Sequence, residues 1–224
     1  MAIGLDFLKS IPYFVGLNAT ELESIGKLVV AKTAERGEII ILEGEKAAAL
    51  QLVFSGVLKA FKTSADGKEQ ILSIIRPGES FNDVSVFDNN PSPVSIQTMG
   101  PVVLYEIRKN DLEAILNEHP QIARNVINVL AGRIRNMVSL VEDLSFRNVI
   151  GRVAKILLEN AGDGAGTAGA RLTQQEMAAM AGTAREVVGR SLKVLEDDGA
   201  IKLDRHRIII RNKEALKNVA GASF

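Results

Sequence analysis

A chain of 224 residues has room for one large domain or two ordinary ones, and 46% hydrophobic content provides for packed cores rather than disorder. Lys+Arg and Asp+Glu are equal at 27 each, so a formal net charge of zero offers no global attraction to nucleic acid, and any basic surface is local. The absence of cysteine excludes disulfides, thiolate-bound zinc, iron–sulfur clusters and thiol chemistry. His119 and His206 are the only histidines, and neither has a second one at metal-ligand spacing.

Residues 6–32 read as short helical pieces, with a helix starting at Asn18-Ala19-Thr20-Glu21 and carrying Leu22, Ile25, Leu28 and Val29 at helical spacing. From Arg36 the texture changes to short β-rich runs: Glu38–Leu42, Leu50–Phe54, Val57–Phe61, Gln70–Ile75, Val94–Thr98 and Val102–Ile107. Gly37, Gly44, Gly56, Asp66-Gly67, Pro77-Gly78 and Gly100-Pro101 punctuate them. Many short strands with a turn signal about every ten residues predict a β-sandwich or jelly roll.

After Asn110 the period switches to helical. Asp111 caps a short helix through Leu116, and a longer one starts near Pro120, where a proline costs nothing because the first N–H has no helical acceptor. Along it, Ile127, Leu130, Ile134, Met137, Val141 and Leu144 alternate at spacings of three and four, flanked by Arg133, Arg135, Glu142 and Asp143. A narrow seam of this length wants a partner helix, so a homodimer is expected. An amphipathic helix follows over Asn148–Asn160, and then a loop of small residues over Ala161–Ala170.

The most informative stretch is 172–211. Thr173 with Glu176 forms a capping box, the helix behind it ends at Ala181-Gly182, and a second box, Thr183 with Glu186, opens the next helix at once. Two short helices joined by a brief Gly-containing turn are a helix-turn-helix. Val188, Leu192 and Leu195 fall on the buried side of the second helix, while Glu186, Arg190 and Lys193 share another side with Arg185 beside them. In the major groove Arg pairs with guanine and Glu accepts from cytosine, so Arg185, Glu186 and Arg190 are the candidate base readers, although capping alone also accounts for Glu186. Gly189 lets the helix approach DNA closely. Ala200–Leu203 and Ile208–Ile210 bracket Asp204-Arg205-His206-Arg207 as a hairpin wing. Thr173, Gln174, Gln175, Thr183, Lys193, Arg205, His206 and Arg207 are the expected contacts to the DNA backbone.

At this point the chain resembles the Crp–Fnr family of bacterial transcription regulators over nearly its whole length. The resemblance is most specific in Leu172–Glu176, Arg185–Lys193, Leu195–Gly199 and Phe146–Ala154. It implies an α+β protein: a double-stranded β-helix sensor at 1–119, a dimerisation helix at 120–145 and a winged helix-turn-helix at 146–224. It also implies a homodimer that reads a palindrome with TGTGA-like half-sites and contacts RNA polymerase, while Asp6, where a signal peptide needs an uninterrupted apolar core, makes a cytoplasmic location expected. Cyclic-nucleotide-binding members carry Gly-Glu for the ribose and Arg-Ser for the cyclic phosphate, whereas Asn82-Asp83 and Ser92-Pro93 stand at those places here. A buried phosphate without a cation is costly, and Met137 and Val138 replace the family's adenine-contacting hydroxyls, so cyclic AMP is not the expected effector. The expected effector site comprises Asn82, Asp83, Val84, Val86, Ser92, Met137 and Val138. A small apolar or weakly acidic ligand, a pocket filled by the protein's own side chains, and a cyclic-nucleotide- or haem-responsive member all remain open; His119 reads as structural rather than as a haem ligand. No cofactor and no metal are expected. No nucleophile–base pair, phosphate loop or metal cluster points to an enzyme, and no run of ~18 apolar residues points to a membrane.

Overall fold

The computed structural model describes residues 4–160, 172–204 and 207–221; the small-residue loop and the wing-tip residues Arg205 and His206 lie outside them. The chain packs as two compact units, Met1–Lys62 with Leu72–Asn136, and Thr63–Ile71 with Met137–Phe224.

The first unit opens with α1 (Leu5–Ser10), a 3-10 turn (Pro12–Phe14) and α2 (Ala19–Gly26). The helix starts where the sequence predicts, and Asn18 and Glu21 cap it reciprocally. The helix does not continue through Leu28 and Val29. It stops at Gly26, and Val29–Ala34 forms β1, paired antiparallel with the last strand of the unit from Val29↔Ile107 to Ala34↔Val102. The β-branched Val29-Val30 pair favours the pleated edge over another helical turn.

The remaining strands are β2 (Ile39–Ile41), β3 (Ala49–Ser55), β4 (Leu58–Thr63), β5 (Glu69–Ile75), β6 (Ser80–Phe81), β7 (Ser95–Thr98) and β8 (Val102–Arg108). Among the described residues they make two four-stranded sheets, ordered β1-β8-β3-β6 and β2-β7-β4-β5. Side-chain alternation divides β3 and β8 between two cores. Leu50, Leu52, Tyr105 and Ile107 pack with the helices, while Val53, Val102 and Leu104 pack with Leu58, Ile75 and Ile96 of the facing sheet. The connection from β3 to β4 turns at Gly56, where φ is +87° and a Cβ would lie 2.4 Å from the Pro101 carbonyl oxygen.

Between β6 and β7 the chain forms α3 (Asp83–Asp88). Left-handed Asn82 and Asn89, at φ 67° and 64°, begin and end it. Asparagine tolerates that conformation better than other side chains, which is how so short a helix fits there. Next come α4 (Lys109–Glu118) and the 27-residue α5 (Pro120–Phe146).

The second unit contains α6 (Val149–Asn160), α7 (Gln174–Ala181), α8 (Arg185–Asp197), the ribbon β9 (Ile201–Asp204) with β10 (Arg207–Ile210), and α9 (Lys213–Gly221). Val153, Ile156, Met177, Ala178, Val188, Leu192, Leu195, Ile201 and Leu216 form its core. The sequence reading passed over α9, although Asn212 caps it by accepting from the Ala215 N–H at 3.0 Å, and Leu216 and Ala220 repeat at helical spacing.

Candidate nucleic-acid interface and effector site

Thr173 heads α7 in a complete capping box: its hydroxyl accepts from the Glu176 N–H at 3.1 Å, and the Glu176 carboxylate accepts from the Thr173 N–H at 2.6 Å. The helix closes on Gly182 at φ +62°, a conformation in which a β-carbon is strained. The second capping box does not form. Ala184 is the N-cap of α8 without a side-chain cap bond, and the Thr183 N–H is spent on the Ala178 carbonyl at 3.0 Å. Thr183 stands one residue too early to cap, because the left-handed turn at Gly182 delays the entry of α8. Capping therefore does not occupy Glu186.

Helix α8 sorts its residues onto two sides. Val188, Leu192 and Leu195 are buried, while Arg185, Glu186, Arg190 and Lys193 are exposed. Gly189 lies between the charged residues, and Gln174 of α7 approaches the position of its absent Cβ to 3.8 Å. Gln174 and Gln175 are exposed at the start of α7, and Arg207 is exposed at the start of β10. Lys193 is not a free cation: its Nζ lies 3.1 Å from both Glu196 and Asp197, within one turn of the same helix.

In the first unit the residues expected at an effector site separate. Val86 is buried in the helix-side core, with Phe87 packed partly against it, and Val84 is half-exposed. The Ser92 hydroxyl donates to the Val94 carbonyl at 2.8 Å, and the Ser92 N–H donates to Glu45. Asn82 donates to the Ala49 carbonyl at 3.4 Å, while its Oδ1 accepts nothing among the described residues.

Asp83 is almost wholly buried and belongs to a network that the sequence did not announce. The Tyr13 hydroxyl donates to its Oδ1 at 2.7 Å. The Arg133 guanidinium ion-pairs with its Oδ2, and also donates to the Ser80 hydroxyl at 2.9 Å and to the Ser80 carbonyl. Burial and the neighbouring Asp83 charge push the Tyr13 phenol well above its ordinary range. Burial opposes the charge on Arg133, but the charge and hydrogen bond of Asp83, together with Tyr13 and Glu79, raise the guanidinium's pKa on balance. Arg133, read above as a flank of the seam, instead faces inward. It lies two turns beyond buried Val126 on the same side of α5.

On the outer side of α5, Ile127, Ile134, Val138 and Val141 are each about two-thirds exposed, and Met137 and Leu144 are less so. Leu130 is half-buried against the helix-side core, and Val138, assigned above to the effector site, lies on the exposed stripe instead. The second unit ties the end of α5 to α6. Asp143 is buried, accepts from Arg147 Nε at 2.5 Å and ion-pairs with Lys155, whose Nζ also reaches the Ser139 hydroxyl at 3.0 Å. Arg152 donates to the Ala181 carbonyl at 2.7 Å, so α6 also holds the turn after α7. His119 Nδ1 sits 3.6 Å from Glu21.

Comparison with known proteins agrees with this geometry. Residues 31–119 match the Cyclic nucleotide-binding domain family and residues 151–219 the Crp-like helix-turn-helix domain family. The CRP-like cAMP-activated global transcriptional regulator of Mycobacterium tuberculosis is 31% identical over 209 residues, spanning 91% of this chain and 93% of that protein. The chain belongs to the Crp–Fnr family of transcription regulators. The Cyclic AMP receptor protein of Thermus thermophilus is 30% identical over 95% of this chain and 98% of its own length. The structure of FixK2 from Bradyrhizobium japonicum superposes with a TM-score of 0.77 at 23% identity, over 88% of this chain and 99% of that one, a likeness of fold.

Membership of the Crp–Fnr family makes this chain a helix-turn-helix DNA-binding regulator of transcription, not an enzyme. Among the described residues no helix is long and apolar enough to cross a membrane, and no group of His, Asp and Glu is placed to hold a metal. The cation beside Asp83 was not legible from the family motifs. Arg133 is fifty residues from Asp83, and the only local signal for it was its place in the helical repeat of Ile122 and Val126.

Proposed function

We propose that the protein is a cytoplasmic homodimer which reads a palindromic operator with TGTGA-like half-sites through Arg185, Glu186 and Arg190, and contacts RNA polymerase when bound. The observation that carries this reading is the exposed charged side of α8, with Glu186 released from capping and three apolar anchors opposite. Thr173, Gln174, Gln175, Thr183 and Arg207 supply contacts to the DNA backbone, and Lys193 contributes only when it leaves its two carboxylates. The exposed stripe Ile127, Ile134, Val138 and Val141 is the dimer seam, with Met137 and Leu144 at its margin. A stripe this apolar on a long helix is costly to leave in water.

Control is by an effector other than cyclic AMP, or the free dimer is already competent. The Mycobacterium tuberculosis and Thermus thermophilus relatives are named for cyclic AMP, but Ser92-Pro93 offers no cation to a cyclic phosphate. Asp83, at the ribose position, is already neutralised by Arg133 and Tyr13. A nucleotide entering there has to compete with an internal ion pair.

Fluorescence anisotropy on a TGTGA-N6-TCACA duplex and on a scrambled duplex, at one salt concentration, tests both halves. Specific binding without ligand means that the free dimer is already competent. Binding that becomes specific only after cyclic AMP is added refutes the effector reading. Equal, weak binding to both duplexes throughout means that the inducer is absent or that the half-site is wrong.

A further inference from the structure

The wing and the recognition helix meet at one carboxylate. Glu196, in the last turn of α8, is half-buried, and its two oxygens have different partners. Oε1 accepts from the backbone N–H of Leu203 in β9 at 2.8 Å, and Oε2 accepts from Lys193 Nζ at 3.1 Å. Among the described residues β9 pairs with β10 on one side only, with Leu203 opposite Ile208. In an antiparallel ribbon alternate residues turn their N–H away from the partner strand. An outward N–H on a half-buried strand needs an acceptor, and Glu196 supplies it where a third strand would otherwise stand. The Leu203 N–H, followed by Lys193, holds this carboxyl below the usual carboxylate range. The root of the wing closes separately: the Ala200 N–H donates to the Leu195 carbonyl, and the Ala200 carbonyl accepts from Arg211 and Asn212.

We infer that Glu196 is a positioning residue for DNA binding: through Leu203 it fixes the reach of the β9–β10 wing relative to the base-reading side of α8. The inference rests on the proposed assignment of α8 to bases and the wing to phosphates. With the pin in place, the two surfaces move as one body and engage base edges and phosphates together. Without it the ribbon pivots about its closed root, and a phosphate contact from Arg207 loses its fixed distance from Arg185 and Arg190. Lys193 is the second arm of the same device, since its ammonium shares the Glu196 carboxylate with the wing.

The test compares wild type, Glu196→Gln and Glu196→Ala. Glutamine keeps an oxygen for the Leu203 N–H and gives up the charge toward Lys193; alanine gives up both and suits a helix. Each phosphate contact contributes ~0.9 to the slope of log K against log salt, so one lost contact per wing flattens the slope of a dimer by ~2. Glu196→Ala is expected to show that flattening while keeping its preference for the TGTGA duplex over a single-base variant. Glu196→Gln is expected to keep the wild-type slope. A wild-type slope in Glu196→Ala overturns the proposal, as does equal flattening in both variants, which would assign the effect to Lys193. The Leu203 amide gives a reading without DNA. Its proton resonance and hydrogen exchange are expected to match wild type in Glu196→Gln, and to move upfield and exchange at least tenfold faster in Glu196→Ala. An unchanged Leu203 amide in folded Glu196→Ala refutes the pin even if DNA binding changes. If instead wild type fails to discriminate the duplexes, the DNA assignment fails while the amide experiment still decides the pin.

Discussion

Replacing Arg133 with methionine isolates the energetic role of the buried network. Methionine keeps most of the aliphatic stem, so packing along α5 changes little, but Asp83 loses its counter-charge. The Asp83 side chain has no exposed surface, and only the Tyr13 hydroxyl remains to satisfy it. Breaking a buried ion pair from one side costs ~3–5 kcal/mol because an uncompensated charge is left behind. Arg133 keeps 36% of its side chain in water, which screens the pair and places the cost near the lower end, ~3 kcal/mol. For a chain of this size each kcal/mol moves the midpoint by about 2–4 °C, so Arg133→Met is expected to melt ~6–12 °C below wild type. Asp83→Asn in the same chain removes the orphaned charge yet still accepts from Tyr13. The double variant is therefore expected to recover at least half of the loss, a coupling of ~2 kcal/mol in a double-mutant cycle. Thermal unfolding of the four proteins at pH 7, followed by circular dichroism, measures this. A single variant melting within ~1 °C of wild type, or a double variant as damaged as the sum of the singles, would show that the pair does not carry this part of the fold.

Arg185→Ala and Arg190→Ala are each expected to cost about 1–3 kcal/mol on the specific duplex and much less on a scrambled one; equal losses on both in anisotropy titrations would count against base reading. Ile134→Glu with Val141→Glu places charges on the exposed stripe of α5, and sedimentation is expected to show a monomer where wild type is a dimer. Gly182→Ala meets both a φ of +62° and a Leu144 methyl at 2.9 Å from the new carbon, so it is expected to destabilise the second unit by about 1–3 kcal/mol in urea unfolding, whereas Gly189→Ala, with only Gln174 nearby, leaves stability near wild type. Folding raises the Tyr13 pKa, so its contribution is intact below the ordinary phenol value of about 10 and is lost as pH climbs through the folded value. In an alkaline titration at 295 nm Tyr13 is expected to ionise only together with unfolding, and a tyrosinate signal from Tyr13 in the folded state would contradict the buried placement.

Much of the DNA-binding unit was legible because its signals are local. The Thr173 capping box, the glycine after Ala181 and the apolar spacing of Val188, Leu192 and Leu195 each lie within a turn or two of chain. The strand texture between Arg36 and Ile107 was legible for the same reason, since alternation and turn residues repeat every few positions. Where two local signals competed, pattern alone misled. Val29 fitted a helical period but pairs with Ile107, and Thr183 fitted a capping box but precedes the true N-cap by one residue.

What the sequence determined by itself is the succession of a β-rich unit, a long helix and a helix-turn-helix, the family, and the charged side of α8, because these depend on periods and motifs carried within single segments. What only the tertiary structure decided is which distant groups share a proton or a charge. Arg133 meets Asp83 and Tyr13 across separations of 50 and more residues, and Glu196 reaches the free edge of β9. Such pairs are set by packing: once the cores bury Val126 and Leu195, the rotation of each helix follows, and the polar side chains on its inner margin take whatever partner the facing element presents.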